Sequence, residues 1–248
     1  MAPTIDGKLH HFTNAGLYDG LFTLYDAETH TLWNHLTGEA EYGPLAGRTL
    51  GPPGNQLQMN VRQALEQDPR TEIAISDRIY FAGGKQFGTA GGGFGPGRGG
   101  GQGRADRGPA GPNPDAVMSD RFRGTLGTED QRRPRMELGL GVWSATTRRY
   151  YPVTRIREKG GAFIDRLDGR EVLIYIDSGS NTPAALFVKS GSAKMQGKEV
   201  LLDNGAVVRS GVLLDRAGKR LAMEHPQQTF TRWYGFALTF PGSEVSGQ

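Results

Sequence analysis

The stretch EVLLDNGAVVRS, residues 199–210, places Asn-Gly between two runs of β-branched and aliphatic residues. Asn204 and Gly205 both tolerate the positive φ angles that a two-residue hairpin turn requires, and each flanking run has the length of a strand. The pattern therefore predicts a β-hairpin. Because hairpin strands need no helix between them, it also favours an antiparallel sheet over a doubly wound α/β fold.

Strand-like runs recur along the chain and follow one another with turns rather than with long helices. The sequence thus predicts a mainly β, antiparallel fold with one or two short helices, and α+β is the alternative class. The candidate strands are KLHHFT (8–13), LFTLYD (21–26), LWNHL (32–36), TEIAIS (71–76), 78–81, MELGLGVW (136–143), RRYYPV (148–153), REVLIYID (170–177) and AALFV (184–188), with a second hairpin around 216–219.

The best helical pattern is NQLQMNVRQALEQDP, residues 55–69. Asn55 is a plausible N-cap, and Pro69 cannot continue a helix. The apolar residues recur at helical spacing, which predicts one buried face. That face would contain Leu57, Val61, Ala64 and Leu65.

Residues 83–113 are rich in glycine and have no apolar periodicity, which predicts a flexible insertion within a single domain spanning 1–248. Four basic residues and one acidic residue in this tract give 4 − 1 = +3, the whole formal net charge of the chain. The GPGRGG match to a dinucleotide-binding loop has neither the strand nor the helix that such a loop needs. One RGG-like element is weak support for RNA binding, so nucleic acid is an unlikely partner.

The chain contains no cysteine. This excludes disulfides, thiolate nucleophiles, iron–sulfur clusters and cysteine-ligated zinc within the chain. Its longest apolar runs are far shorter than the roughly 18 residues of a membrane span, and its first residues lack the pattern of a signal peptide. As written, the sequence is expected to stay in the cytoplasm.

The five histidines show no local metal-binding spacing. His10 and His11 are adjacent, and His30 and His35 are five apart, so the members of each pair face opposite sides of a strand. We therefore expect satisfied or solvent-facing histidines and no metal site, and the alternative is a site assembled from distant histidines and Asp26. Residues 177–181, DSGSN, resemble the start of a calcium loop but lack its later ligands, which favours a turn.

Arginine and aromatic residues occur together in VWSATTRRYYPVTR (142–155) and FTRWYGFALTF (230–240). A guanidinium group over an aromatic ring can stack structurally within a sheet or help to bind an anion. Sheet packing is the simpler interpretation, and a small-molecule or anion site is the alternative. The candidate ligand-binding residues are Trp33, His35, Arg148, Tyr151, Arg232 and Trp233, with no cofactor identified.

Four segments in order resemble a bacterial family catalogued as domain of unknown function 3179. They are YDAETHTLWNHLTGEAEYGPLAGRTL (25–50), GLGVWSATTRRYYPVTRI (139–156), DGREVLIYID (168–177) and RWYGFALTFPGSEV (232–245). The residues that match the family pattern include Tyr25, Asp26, Trp33, Thr37 to Ala40, and Gly43 to Gly47. The resemblance covers most of the chain outside the glycine-rich tract.

The resemblance implies little about chemistry, because the family's activity is not established. Its members typically contain a segment like Cys-Pro-x-Cys before the strand equivalent to GKLHHFT, and often an export signal. This chain is thus expected either to lack an upstream segment because its start is assigned too late, or to be a thiol-free relative. The leading interpretation is an uncharacterised β domain without evident catalysis. The alternatives are a periplasmic or envelope redox or metal enzyme with cysteines upstream of Met1, and an anion or small-ligand binding module.

Overall fold

The computed structural model describes residues 4–50, 57–73 and 120–247. The glycine-rich tract, the candidate strand at 78–81 and residues 74–76 of TEIAIS lie outside the described residues, and 71–73 are not in a strand. The N-terminal part begins with a small hairpin and continues as a four-stranded antiparallel meander. These strands are β1 (Thr4–Ile5), β2 (Lys8–Leu9), β3 (Phe12–Tyr18), β4 (Leu21–Asp26), β5 (Leu32–Asn34) and β6 (Ala40–Tyr42).

The C-terminal part contains three further sheets, ordered β16-β7-β8-β17, β11-β10-β9 and β12-β13-β14-β15. Their elements are β7 (Leu138–Trp143), β8 (Arg148–Pro152), β9 (Ala162–Leu167), β10 (Arg170–Ile176), β11 (Pro183–Phe187), β12 (Ala193–Gln196), β13 (Glu199–Leu202), β14 (Val207–Arg209), β15 (Val212–Leu214), β16 (Gln227–Arg232) and β17 (Glu244–Val245). Pairing is antiparallel except between β17 and β8. The predicted mainly β class is confirmed, and so is the Asn-Gly hairpin, which joins β13 to β14.

Four short helices occur in the described residues, more than the one or two predicted. They are α1 (Val61–Gln67), α2 (Asp120–Arg123), α3 (Val153–Glu158) and α4 (Trp233–Thr239). The additional α3 and α4 directly follow strands, and Pro152 is the N-cap of α3. The fixed φ of proline is compatible with the start of a helix. No helix in the described part of the chain is long and apolar enough to cross a membrane.

Helix α1 differs from the sequence prediction in its cap and in its buried face. Its N-cap is Asn60, which forms a reciprocal capping box with Gln63. Val61 is 55% exposed and Leu65 39% exposed, whereas Gln63 is buried. The apolar periodicity was misleading because the surface beneath the helix presents the carboxylate of Asp177, which accepts a 2.5 Å hydrogen bond from Gln63 Nε2.

Aromatic side chains pack α4 against the sheet of β7 and β8. The ring centroids of Tyr150 and Trp233 are 5.1 Å apart, and those of Tyr150 and Phe236 are 5.5 Å apart. This close approach requires Gly141 on β7, where an added Cβ would lie 2.2 Å from a ring carbon of Phe236. The arginine-aromatic segment 230–240 therefore supplies a strand followed by a core helix.

A buried glutamine joins the sheet of β16 to the edge strand β11. Gln228 is 1% exposed. Its Oε1 accepts a 2.7 Å hydrogen bond from the Ala185 backbone N–H, and its Nε2 donates to the Ala185 carbonyl at 2.8 Å. The side-chain amide thus satisfies both backbone groups of one residue, as a neighbouring strand would.

The N-terminal meander contacts the C-terminal part at the β3–β4 turn. Asp19 and Gly20 have positive φ and form this two-residue turn. Asp19 Oδ1 accepts a 2.8 Å hydrogen bond from the Gly127 N–H. Leu126 and Tyr234 lie so close to Gly20 that an added Cβ would be 2.6 and 2.9 Å from their side chains.

Candidate functional site

The two sequence-derived candidates in the meander occupy different environments. Trp33 is fully buried, consistent with a core residue, and its Nε1 has no hydrogen-bond partner among the described residues. His35 lies in the β5–β6 turn, and its Nδ1 is 2.7 Å from the carbonyl oxygen of Phe22. Burial lowers the pKa of His35 despite this hydrogen bond, which favours a neutral ring.

The other four candidates lie on β8, at the end of β16 and at the start of α4, and they do not converge. Arg148 pairs with Trp143 at one end of β7, and Arg232 pairs with Leu138 at the other end. The Arg148 guanidinium lies 5.7 Å from the Phe240 ring centroid. Arg148 thus stacks on an aromatic ring, whereas Arg232 Nη1 contacts the sulfur of Met136.

The two buried aromatic candidates are held by hydrogen bonds. Trp233 donates from Nε1 to the carbonyl oxygen of Asp130 at 2.7 Å. Tyr151 donates its hydroxyl hydrogen to Asp165 Oδ2 at 3.0 Å. Burial raises the pKa of Tyr151, and the nearby Asp165 carboxylate raises it further, so the hydroxyl remains protonated. Both side chains are therefore satisfied within the protein.

A cleft of ≈ 550 Å³ lies where β8, β9, the end of α3 and the C-terminal strand meet. Its position was not predicted, because its charged residues come from separate segments of the chain. Only Arg149 on β8 belongs to a predicted arginine-aromatic segment, in which the sequence indicates the neighbouring Arg148 instead. The charged residues that line the cleft are Arg132, Arg149, Lys159, Asp165 and Glu244.

Arg149 connects the walls of this cleft. Its Nη1 donates to Asp165 Oδ2 at 3.1 Å and to the carbonyl oxygen of Arg166 at 2.9 Å. Its Nε and Nη2 contact Glu244 Oε2, each at 2.6 Å. Burial disfavours the charge, but hydrogen bonding toward Tyr151 and Glu244 outweighs it and raises the pKa of Arg149. Counting the hydrogen bond with Tyr151, these contacts engage the five N–H donors of the guanidinium.

Lys159 differs from the arginines of the cleft because it forms no ion pair within the part of the chain that the structure describes. Its ammonium nitrogen lies 4.3 Å from the Phe163 ring centroid. Arg132, by contrast, pairs with Asp130 at 2.6 Å and donates to the Ser243 carbonyl at 2.8 Å. Lys159 is thus the cation of the cleft that is best able to accept an anionic partner.

A second groove, of ≈ 680 Å³, is lined mainly by apolar side chains such as Val188, Leu213 and Met223. One of its cations, Arg170, forms a bidentate pair with Glu224 and lies 3.7 Å from the Phe187 ring centroid, and Lys189 also lines the groove. Because Arg170 is already paired with Glu224 and most of the lining is apolar, this groove offers less for recognition of a charged ligand.

A different group of polar side chains surrounds the β4–β5 turn. His10 Nδ1 is 2.9 Å from Asp26 Oδ1, and both residues are buried. His11 Nδ1 is 2.6 Å from Glu28 Oε1, and the His11 N–H donates to Glu28 Oε2 at 2.8 Å. The histidines are satisfied, as the sequence predicted. The distant pair His10 and Asp26, which was the alternative, is also brought together.

Asp26 is held by its own turn as well as by His10. Its Oδ1 accepts hydrogen bonds from the N–H groups of Glu28 and Thr29 at 2.9 and 3.2 Å, and the Thr29 hydroxyl donates to Oδ2. Burial opposes ionisation, but the hydrogen bonds from Thr29, His10 and Glu28 prevail and lower the pKa of Asp26 to about 2. The carboxylate is therefore ionised at neutral pH.

No family model, curated protein or solved structure matches this chain. The geometry of the described residues is therefore the main support for a function.

Proposed function

We propose that this protein is a binding module for a small anion, such as phosphate or a carboxylate, and that the anion binds in the cleft beside Lys159. The observation that carries the proposal is the convergence of three cationic side chains from separate segments of the chain. They are Arg132 in the loop before β7, Arg149 on β8 and Lys159 at the end of α3.

The three cations have different tasks in this proposal. The ammonium group of Lys159 supplies a charge that no carboxylate in the described residues neutralises. Arg149 is fixed by Asp165 and Glu244, so it contributes the positive charge of an ordered group. Such preorganisation lowers the entropic cost of binding. With Asp165 and Glu244 also lining the cleft, its charge is 3 − 2 = +1, which suits an anion of low charge.

Anion binding requires only the cationic side chains that this chain contains. A thiol-based redox reaction would need cysteines, and the sequence contains none. We further propose that the chain belongs to the family of domain of unknown function 3179, on the order of the four sequence segments. This assignment predicts a fold common to its members and does not by itself supply the ligand.

The binding proposal is tested by melting temperature in increasing phosphate, with sodium chloride at matched ionic strength as the reference. A ligand held only by the native state stabilises by about 2.7 kcal/mol at a hundredfold excess over its Kd. We expect phosphate to raise the melting temperature of the wild type above the chloride reference. A small dicarboxylate, tested in the same way, distinguishes the two anion classes.

Lys159→Gln is the informative variant, because it removes the charge and keeps most of the side-chain stem. Lys194→Gln on the exposed face of β12 is the matched control, since Lys194 does not line the cleft. The phosphate-dependent rise should be lost in Lys159→Gln and retained in Lys194→Gln. An equal rise in both variants, or no rise in the wild type beyond that of chloride, would contradict the proposal.

A further inference from the structure

We propose that His10, Asp26 and Glu28 form a binding site for a divalent transition-metal ion, best suited to Zn²⁺, at the β4–β5 turn. One candidate ligand atom from each residue lies within 4.8 Å of the other two. The site shares no residue with the anion cleft, so neither proposal depends on the other.

The chemistry of the three side chains selects the class of ion. An imidazole nitrogen favours Zn²⁺ and its transition-metal neighbours over Mg²⁺ and Ca²⁺, and carboxylate oxygens complete many zinc sites. Three protein ligands leave a fourth position for water or a substrate group. This is the arrangement of reactive rather than purely structural zinc sites.

Two of the three ligands are already in place. Ligands of one tetrahedral Zn²⁺, each about 2.1 Å from the ion, lie roughly 3.4 Å apart. The 2.9 Å separation of His10 Nδ1 and Asp26 Oδ1 is close to that value. Asp26 is held by the N–H groups of Glu28 and Thr29, and both His10 and Asp26 are buried. The ion would replace the proton between His10 Nδ1 and Asp26 Oδ1. The neutral imidazole of His10 would then carry its hydrogen on Nε2.

Glu28 is the adjustable ligand. It is exposed and its carboxylate rests against His11, whose side chain is 68% exposed. An ion pair with such a solvent-exposed side chain is weak, and Glu28 Oε2 also accepts a hydrogen bond from the His11 N–H. Glu28 can therefore turn from His11 toward the ion while the backbone of the turn stays as it is.

The turn at Asp177 provides a comparison within the same chain. Its carboxylate has the same position in an equivalent turn, but its neighbour is the amide of Gln63, and the residue equivalent to Glu28 is Gly179. An amide nitrogen is not a metal ligand. The same backbone therefore presents metal-binding chemistry only at Asp26.

The test is isothermal titration of the full chain with ZnCl₂ after removal of metal by a chelator. We expect one Zn²⁺ per chain, and at least a tenfold loss of affinity in Glu28→Gln, since even neighbours of metal ligands typically contribute 10- to 100-fold. Glu72→Gln, at an exposed position after α1, is the matched control and should bind as the wild type does. Substitution with Co²⁺ should give the visible absorption of a four- or five-coordinate ion in the wild type and not in Glu28→Gln.

His11→Gln separates this site from binding by a surface histidine. Because His11 is not a ligand here and only restrains Glu28, its replacement should leave the affinity unchanged or raise it. Loss of binding in His11→Gln would overturn the assignment, as would equal Zn²⁺ affinity in Glu28→Gln and the wild type, or no binding by the wild type. Far-ultraviolet circular dichroism of each variant confirms that the fold is retained.

Discussion

Two hairpin turns in different sheets share one pattern of hydrogen bonds and differ in what surrounds them. In residues 26–31, between β4 and β5, the N–H of the first residue, Asp26, donates to the carbonyl of the sixth, Thr31. The N–H of the fifth residue, His30, donates to the carbonyl of the first. Residues 177–182, between β10 and β11, repeat both bonds. In each turn the aspartate Oδ1 accepts from the third and fourth N–H groups, and the fifth residue has positive φ.

The surroundings give the two turns different roles. Asp177 receives the neutral amide of Gln63, which anchors α1 to the sheet. Asp26 receives an imidazole and lies beside a second carboxylate. The comparison teaches that the turn itself uses a side-chain oxygen acceptor at its first position, so a buried carboxylate there is not by itself evidence of a binding or catalytic site. What distinguishes a candidate site is the partner that approaches from another segment.

The largest expected effect is the loss of the turn aspartate. Asp26→Ala removes the acceptor of hydrogen bonds from His10, Thr29 and Glu28, and these donors remain buried or partly buried. We expect a loss of about 4 kcal/mol in the free energy of unfolding, and about 3 kcal/mol for Asp177→Ala, measured by urea denaturation. A loss below that of Asp177→Ala would show that the imidazole adds nothing to the first turn.

The neutral partner of the second turn is expected to have the next largest effect. Gln63→Leu keeps the side-chain volume but removes the hydrogen bond to Asp177 and the one that Gln63 Oε1 accepts from the Asn60 N–H. We expect a loss of about 2 kcal/mol. Hydrogen exchange should show faster opening of α1 and unchanged exchange in the turn at 26–31. Equal acceleration in both regions would mean that Gln63 does not act locally.

The sequence predicted the class, most strand positions and both turns, because these depend on local turn chemistry and on runs of β-branched residues. The likeness of DAETHT (26–31) and DSGSNT (177–182) was missed, although Asp at the first and Thr at the last position, with Thr or Ser at the fourth, were visible. The side chains that contact each turn aspartate from elsewhere in the chain were not predictable. His10 and Gln63 approach from 16 and 114 residues away, and no local pattern fixes such contacts.

A third copy of the turn has asparagine in place of the aspartate, and it shows which hydrogen bonds need a carboxylate. Residues 34–39, between β5 and β6, have the same backbone bonds with Asn34 in the first position, and its Oδ1 accepts from Leu36 and Thr37. Within the described parts of the chain, the hydrogen bonds to the Asp177 carboxylate all end on Oδ1, so Asp177→Asn should cost about 0.5 kcal/mol. Asp26 also uses Oδ2, which accepts from Thr29, so Asp26→Asn should cost about 1.5 kcal/mol. Chemical denaturation of both variants checks the order, and a larger cost at Asp177 would contradict it.

The smallest expected effect concerns the fifth residue of each turn. His30 has φ +60°, Asn181 has φ +56°, and the third turn has Gly38 at +70°. A left-handed conformation costs an ordinary residue about 1–2 kcal/mol, whereas asparagine adopts it more readily. Glycine avoids that strain but loses about 0.5–1 kcal/mol of backbone entropy on folding. Because His30 Nδ1 also contacts the Tyr25 hydroxyl, the comparison is made in a Tyr25→Phe background. There His30→Gly should raise the free energy of unfolding by about 0.5 kcal/mol, and Asn181→Gly should change it little. Parallel urea titrations resolve this difference, and equal stabilisation by both variants would mean that the two turns carry the same strain.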